Sequence, residues 1–516
     1  MIGVRYFPKE LFLLIILFFG WGWLSPSYAK DEISTLNKKL DQLTKNSALR
    51  STEMGILVYS LSDKKILFER ESKKALIPAS NVKLITTYSA LKELGLNYRF
   101  KTYFYTNRFL SDGNIEHLYI RGGGDPYLVI ERLWRIAGDL RARGIKAIQG
   151  NIIIDEGFFD NNLYPPGWPE SPSSRAYHAP TAAFAVNFNT VAVYIWPGET
   201  VGKLPQVYID PNIGFFKLQN LAQTTGSGRK KIMVERLDNP GGDYIRVSGN
   251  LPVNAPLVIR YRHINKPIQY AGAVLHYVLE GRGIKVGGQI QSGKTPKDVQ
   301  EIFVEESPSL SVLIRAVNKH SNNFMAEQIL KTMAAERKGI PGSTKKGVAI
   351  LEDHLKSLGV SRREFRLENG SGLGRENRLS ARAFVRVLDA AWKDSLIRPE
   401  FISSLALGGL DGTLEDRMGG YLSEKALLEG EEEEENIPEK GREFGSPFEP
   451  EFTKVRAKTG SLDNVSSISG YIFKGEDETL AFSIMMNGFK ENKHTTIHHI
   501  QDQFLNLLIN QATKEG

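Results

Sequence analysis

Residues 77–87 read IPASNVKLITT, a proline turn that opens onto a helical pattern. Leu84, Ile85, Tyr88, Leu91 and Leu94 continue an apolar face at helical spacing, which puts Ser80 at the start of a core helix. Lys83 follows at i+3, on the same face and within reach of the hydroxyl. A neutral lysine there can take the serine proton and leave an alkoxide-like nucleophile, next to backbone N–H groups that the helix start leaves free for an oxyanion. Bringing a lysine from its ordinary pKa of about 10.4 to about 7 costs about 4 kcal/mol, which burial or a second cation must supply. The tetrapeptide Ser-x-x-Lys therefore carries chemistry only in a pocket with further positive charge. It starts six times in the chain, at Ser27, Ser62, Ser80, Ser89, Ser227 and Ser343. Only at Ser80 does it follow Pro-Ala at a helix start, and even there a plain helix cap is the competing reading.

Two other stretches weigh against the plain cap. Lys458-Thr459-Gly460 lies inside a strand pattern and offers the second cation, a hydroxyl for a substrate carboxylate, and a glycine that lets substrate approach the strand. Ser321-Asn322-Asn323 falls between two helical patterns, with a hydroxyl for proton relay and an amide for a peptide carbonyl. The same three-letter form recurs at Ser248-Gly249-Asn250, in a strand-like region.

Around these motifs, 516 residues with 41% apolar content exceed one ordinary core and imply two or more domains. Arg5 and Lys9 precede the apolar run 11–24 (LFLLIILFFGWGWL), and Ser27-Tyr28-Ala29 has the form of a cleavage site, so residues 1–29 are expected to be an export signal. An uncleaved anchor is the alternative, although fourteen residues fall short of the ~20 a spanning helix needs. Cysteine is absent, which excludes disulfides, thiolate metal sites and cysteine nucleophiles. The net charge is +7, yet residues 429–451 hold ten Glu against Lys440 and Arg442, a local −8 that leaves +15 on the rest. That acidic run reads as a disordered surface loop. A basic body suits peripheral contact with anionic envelope surfaces, or is simply a soluble surface, and nothing resembles a nucleic-acid module.

The pattern predicts an amphipathic first helix through Ile33, Leu36, Leu40 and Leu43, then two strands about a Ser62-Asp63-Lys64 turn. Residues 101–299 change to short strand-like runs with Gly and Pro breaks and one clear helix at 131–143, a mainly β insertion. Helices are expected at 310–317, 323–335, 347–358 and 381–392, strands at 455–460, 467–473 and 479–486, and a closing helix through Ile500, Phe504 and Leu508. The fold class is α+β, an antiparallel sheet covered by helices. Residues 30–100 and 300–516 would build one discontinuous domain around the insertion.

In order and form, IPASNVKLITT, NKHSNNFMAEQ and VRAKTGSLDNVSSISGY resemble the Ser-x-x-Lys, Ser-x-Asn and Lys-Thr-Gly trio of penicillin-recognising enzymes. With RGGGDPYL, PPGWP, FAVNFNTVAV, NGSGLGRENRLSA and LDGTLEDRM, nearly the whole mature chain is similar to the D-alanyl-D-alanine carboxypeptidase/endopeptidases of serine peptidase family S13, the low-molecular-mass class C penicillin-binding proteins. The 241 positions between Ser80 and Ser321 match that family's inserted domains, where β-lactamases have a much shorter connection.

The resemblance implies the penicillin-binding, β-lactamase-like transpeptidase fold and action on peptidoglycan stem peptides, with β-lactams as inhibitors and neither cofactor nor metal. It implies Ser80 as acylated nucleophile, Lys83 as its base, Ser321 as relay and Asn323 as a substrate amide ligand. Lys458 and Thr459 would bind the terminal carboxylate, Gly460 would open the strand to substrate, and the N–H groups of Ser80 and Ser461 would form the oxyanion hole. Arg375, Asp155 and Phe159 resemble residues that hold the peptide side chain. The chain departs from the family pattern at Asn322, where Asp is usual, at Gly374, where Ser is usual, and at Asp463, where Gln is expected.

Two rivals stand beside this reading: a β-lactamase or esterase on the same scaffold, and a noncatalytic peptidoglycan-binding protein. The long insertion argues against the first, and intact Ser80, Lys83 and Lys458 against the second. GQIQSGKT (288–295) matches the phosphate-cradle pattern letter for letter, but its apolar residues make the loop itself strand-like and Pro296 follows at once, so it is expected to be a hairpin-like exit from the insertion. His494 and His498 lack the glutamate and third ligand of a zinc motif, and Gly122-Gly123-Gly124 reads as a turn.

Overall fold

The computed structural model describes residues 26–169, 173–239, 242–418, 454–475 and 478–510. The apolar run 11–24 and the acidic run 429–451 lie outside the described residues. Among those described, no helix is long and apolar enough to cross a membrane.

Six strands make one antiparallel sheet, in the order Ala406–Leu407, Val455–Leu462, Val465–Lys474, Glu478–Asn487, Glu53–Ser60, Lys65–Arg70. Its central strands are buried on both faces, because side chains alternate between two helical layers. Tyr471, Ala481 and Met485 face a core built with the helices Val82–Leu94, Asn323–Lys338 and Ala381–Lys393. Leu480, Phe482, Ile484 and Met486 face the other way, onto Leu36 and Leu40 of the first helix (Pro26–Thr44) and Phe504 and Leu508 of the last (His494–Ile509). The two ends of the chain meet in this sheet, Ile56 opposite Ile484 and Val58 opposite Phe482.

The intervening chain leaves and returns through a neck where Phe100 and Ser307 bind each other. Ser307 N donates to Phe100 O at 2.9 Å, and Phe100 N donates to Ser307 Oγ at 3.0 Å. Beyond it a five-stranded sheet runs Ile290–Ser292, Ile152–Asp155, Leu118–Arg121, Lys101–Thr106, Gln300–Glu306, and three three-stranded sheets complete the strands of the insertion among the described residues. Two helices pack on it, not one. Ile130–Ala142 was legible from its stripe, whereas in Pro267–Gly281 the residues Tyr270, Ala271, Val274, Leu275, Val278 and Leu279 are all fully buried. A helix apolar on most sides gives no amphipathic period.

GQIQSGKT is not a hairpin. Ile290–Ser292 pairs in parallel with Ile152–Asp155 at one edge of the five-stranded sheet, while Gln300–Glu306 pairs with Lys101–Thr106 at the other. Nor does a helix start at Lys294 and Thr295, as a phosphate cradle would need. Thr295 N donates instead to Asp155 Oδ2 at 2.9 Å. The duplicate Ser248-Gly249-Asn250 lies in the strand Tyr244–Pro252 of the insertion, and Ser343 caps the helix Thr344–Ser357.

Candidate active site

The residues Ile77 to Asn81 are stitched to the sheet before the helix begins. Asn487 exchanges hydrogen bonds with both backbone groups of Ile77, Ser467 Oγ donates to Pro78 O at 2.6 Å, and Asn81 Nδ2 donates to Ser469 Oγ at 2.8 Å. Ala79 takes φ +46°, a left-handed conformation that a non-glycine residue adopts at a cost. The turn thus presents Ser80 in the short 3-10 segment Ala79–Asn81, one turn ahead of Lys83 on the helix Val82–Leu94.

Lys83 is fully buried and Nζ makes three contacts: Ser80 Oγ at 2.9 Å, Asn323 Oδ1 at 2.6 Å and Ser371 O at 2.6 Å. Its pKa falls well below the ordinary lysine value, first through burial and then through the nearby charge of Lys458, with Glu327 opposing. Lys458, also fully buried, donates to Ser321 Oγ at 3.0 Å and to Thr459 O at 2.6 Å, and burial brings it down to about 7. The second amine is therefore present, and in its charged form it disfavours the ammonium of the first.

The strand Val455–Leu462 carries the rest of that wall. Its outer partner, Ala406–Leu407, covers only Arg456 and Ala457, so the edge from Thr459 onward bears no strand among the described residues. Gly460 faces the nucleophile turn, and Ser461 is exposed beyond it. Thr459 Oγ1 donates to Thr413 Oγ1 at 2.7 Å, which sets two hydroxyls side by side.

Ser321, with φ +55°, occupies the bend between the helices Leu310–Lys319 and Asn323–Lys338. Asn322 caps the second helix, its Oδ1 accepting from Met325 N at 2.9 Å. Aspartate and asparagine perform that task equally well, which accounts for the departure at this position. Asn323 spans the cleft, since its Oδ1 accepts from Lys83 and its Nδ2 donates to Tyr177 O at 3.0 Å. The insertion therefore forms one wall of the site. Asn369 Nδ2 reaches Pro166 O at 3.0 Å, and a Cβ on Gly374 would stand 1.8 Å from Gly167 O, so serine at 374 would collide with this chain's PPGWP loop.

Ser80, Lys83, Ser321, Asn323, Lys458, Thr459, Gly460 and Ser461 come together in this cleft. Arg375 stands at its end, where NH1 donates to Asp463 O at 2.8 Å, two residues past Ser461. Asp155 and Phe159 are placed elsewhere. Both oxygens of Asp155 accept backbone N–H groups, of Gly157 and Thr295, beside a cavity of about 890 Å³ that none of the cleft residues lines. Phe159 is buried against Gly124 and under Lys331, eight residues or about 12 Å along the helix from Asn323. The three glycines preceding Asp125 are accordingly more than a turn: Gly122 and Gly123 lie where a Cβ would strike the backbone of Ala183 and Lys101.

Four residues in or behind the cleft carry no chemical motif in the sequence: Tyr177, Glu327, Ser371 and Thr413. Ser371 and Thr413 lie inside quoted stretches, NGSGLGR and LDGT, without a chemical pattern of their own, and Tyr177 acts through its carbonyl, which no side-chain pattern reports.

Fold and cleft define a serine acyl-transfer enzyme of the penicillin-binding fold. A model of the D-Ala-D-Ala carboxypeptidase 3 (S13) family matches residues 36–430 and 442–508, and the chain belongs to that family. It is a serine-type D-Ala-D-Ala carboxypeptidase, a DD-peptidase of peptidoglycan. Among similar proteins, the D-alanyl-D-alanine carboxypeptidase of Actinomadura sp. (strain R39) is 30% identical over 477 residues, 88% of this chain and 81% of that protein. The carboxypeptidase DacB of Haemophilus influenzae is 22% identical over 471 residues, 90% of each chain. The crystal structure of penicillin binding protein 4 from that organism superimposes with a TM-score of 0.73 at 21% identity, covering 91% of this chain and 99% of the other.

Proposed function

We propose that Ser80 is the acylated nucleophile of this peptidase and Lys83 the base that activates it. The observation that carries the assignment is the position of Lys83 Nζ, 2.9 Å from Ser80 Oγ with Asn323 Oδ1 and Ser371 O each at 2.6 Å. A neutral amine has two N–H groups and one lone pair. Once Lys83 is neutral, Asn323 Oδ1 and Ser371 O can take its two hydrogens, so that its lone pair meets the Ser80 hydroxyl.

Ser80 Oγ attacks the carbonyl of the penultimate D-Ala, and its proton passes to Lys83. The oxyanion faces the N–H groups of Ser80 and Ser461. The C–N bond breaks, the leaving amine takes a proton relayed through Ser321, and D-Ala departs; water then cleaves the ester and restores Ser80. The substrate lies as an added strand along the open edge from Thr459, its terminal carboxylate held by Lys458 and the paired hydroxyls of Thr459 and Thr413, its amide by Asn323. The same attack on a D-Ala cross-link releases an amine-bearing peptide instead of D-Ala, so endopeptidase action needs no further group. Arg375, at the end of the strand, suits contact with the stem-peptide side chain. A β-lactam is an amide whose leaving nitrogen stays tethered after attack, and it acylates Ser80 in the same way.

Extracytoplasmic action is supported by the substrate and by the signal-like residues 1–29, and the basic body favours peripheral contact with the envelope. The peptidase unit comprises the chain up to Phe100 and from Ser307 onward, with the insertion between them.

Mass spectrometry of the protein incubated with benzylpenicillin tests the assignment: one adduct is expected, on the peptide carrying Ser80, and Ser80→Ala should carry none and should not release D-Ala. Wild-type turnover by Ser80→Ala would overturn it.

A further inference from the structure

Glu327 lies one helical turn beyond Asn323 and is fully buried, although a carboxylate is expensive to bury without partners. Its Oε1 accepts two successive backbone N–H groups, Gly370 at 3.0 Å and Ser371 at 2.7 Å. Its Oε2 is buried and accepts no hydrogen bond of normal geometry, while the Ser371 side chain helps to hold the carboxylate's charge. The loop it grips is the one whose Ser371 carbonyl takes a hydrogen from Lys83. Other bonds shape the same loop: Thr86 Oγ1 donates to Gly370 O at 2.7 Å, and Gly372 N donates to Asn369 Oδ1 at 2.9 Å. Only Glu327 among these can bring a formal charge; burial raises its pKa above the ordinary glutamate value, and Ser371, the Gly370 amide and Lys83 oppose that rise by favouring the carboxylate.

We propose that Glu327 is a positioning residue for Lys83: it fixes the Ser371 carbonyl that occupies one N–H of the amine, so that the lone pair is aimed at Ser80, and it provides the buried counter-charge for the ammonium formed when Ser80 is deprotonated. This rests on the reading of Ser80 and Lys83 given above. The ionisable groups facing Lys83 are Lys458, from the strand Val455–Leu462, and Glu327, from the helix Asn323–Lys338; the 369–373 loop contributes none. Lys458 disfavours the ammonium and Glu327 favours it. A fully buried carboxylate would be a costly loop anchor, since a glutamine could accept both amide hydrogens without burying charge. Its value lies in the step that makes Lys83 cationic.

The test compares Glu327→Gln and Glu327→Leu with wild type in the second-order rate of benzylpenicillin acylation between pH 5 and 9, together with thermal melting. Lys83 must be neutral to act, so it governs the acid limb of the profile. Loss of the counter-charge lowers its proton affinity. Glu327→Gln is therefore expected to acylate more slowly at its optimum and to carry its acid limb at lower pH than wild type. Glu327→Leu, which also frees the carbonyl, should acylate at least 100-fold more slowly while still melting cooperatively. An acid limb that stays in place or moves up in Glu327→Gln overturns the inference, and so does a folded Glu327→Leu acylating at the wild-type rate. If Glu327→Leu does not fold, the Glu327→Gln profile decides alone. A Ser80→Ala protein that still forms the adduct would instead overturn the site assignment, so the two failures are distinguishable.

Discussion

The backbone nitrogen of Ser80 lies 2.8 Å from the point where a Cβ on Gly460 would stand, so the nucleophile turn and the Lys-Thr-Gly strand touch through a residue with no side chain. Pro78 O at 2.8 Å and Ser467 Oγ at 2.6 Å crowd the same point. Gly460→Ala must push the turn and the strand apart, which displaces Ser80 from Lys83 and from Ser461 together. Misplacement of about 1 Å can cost about 100-fold in rate, and overpacking about 1–3 kcal/mol in stability. Acylation and melting measured on the same variant should show both losses; an alanine protein that acylates normally would mean that the two elements do not cooperate.

Thr413 is predicted to share the substrate carboxylate with Thr459, to whose hydroxyl it is bonded at 2.7 Å. Thr413→Val keeps the shape and removes the hydroxyl. A net hydrogen bond is worth about 0.5–1.5 kcal/mol, so KM for a D-Ala-D-Ala peptide should rise about 2- to 12-fold with kcat nearly unchanged. A peptide amidated at its C-terminus should not distinguish variant from wild type. Equal sensitivity of both peptides would remove Thr413 from the carboxylate site.

Lys458 should make stability depend on pH in a stated direction. Its pKa is about 7 in the fold against an ordinary 10.5. Below pH 7 it is protonated in both folded and unfolded chains, and the penalty for burying it is full. Between the two values the unfolded chain binds more protons, so stability rises with pH by up to about 1.4 kcal/mol per pH unit, and the penalty is gone above 10.5. Lys458→Met should therefore melt higher than wild type at pH 6–7, by a margin that shrinks toward pH 9–10, while losing penicillin acylation. A margin constant with pH would show that Lys458 is not buried as a free amine.

Much of the architecture was legible because apolar periodicity and motif order are both local properties. The strands about Ser62, the helix carrying Lys83 and the three strands after Lys454 all stand close to where their patterns put them. The parallel pairing of Ile290–Ser292 was not legible, because strand order is settled by contacts 138 positions apart, Ile290 with Ile152. Thr413 and Glu327 were hidden for a similar reason. Each matters through a partner distant in the chain, Thr459 for one and the 370–371 amides for the other.

Asp155 and Phe159 are predicted to act on stability rather than on substrate choice. Phe159 is 4% exposed and packs on Gly124, so Phe159→Ala should cost about 3–5 kcal/mol in unfolding free energy. Where the variant remains folded, the ratio of kcat/KM values for peptides differing in the stem side chain should equal that of wild type. A changed ratio with unchanged melting would return Phe159 to the substrate site.

Lys294 completes the phosphate-cradle letters but is exposed at the rim of the cavity beside Asp155, outside the cleft. The neighbouring Thr295 spends its N–H on the Asp155 carboxylate, a group that repels phosphate. Lys294→Ala should keep kcat/KM for a D-Ala-D-Ala peptide within about twofold of wild type, since surface substitutions away from special features usually cost within ±0.5 kcal/mol. Calorimetric titration with magnesium ATP should give no binding heat with either protein. Saturable heat with wild type that vanishes in the variant would restore the nucleotide reading of GQIQSGKT, and a tenfold loss of peptidase activity would connect that edge of the insertion to the cleft.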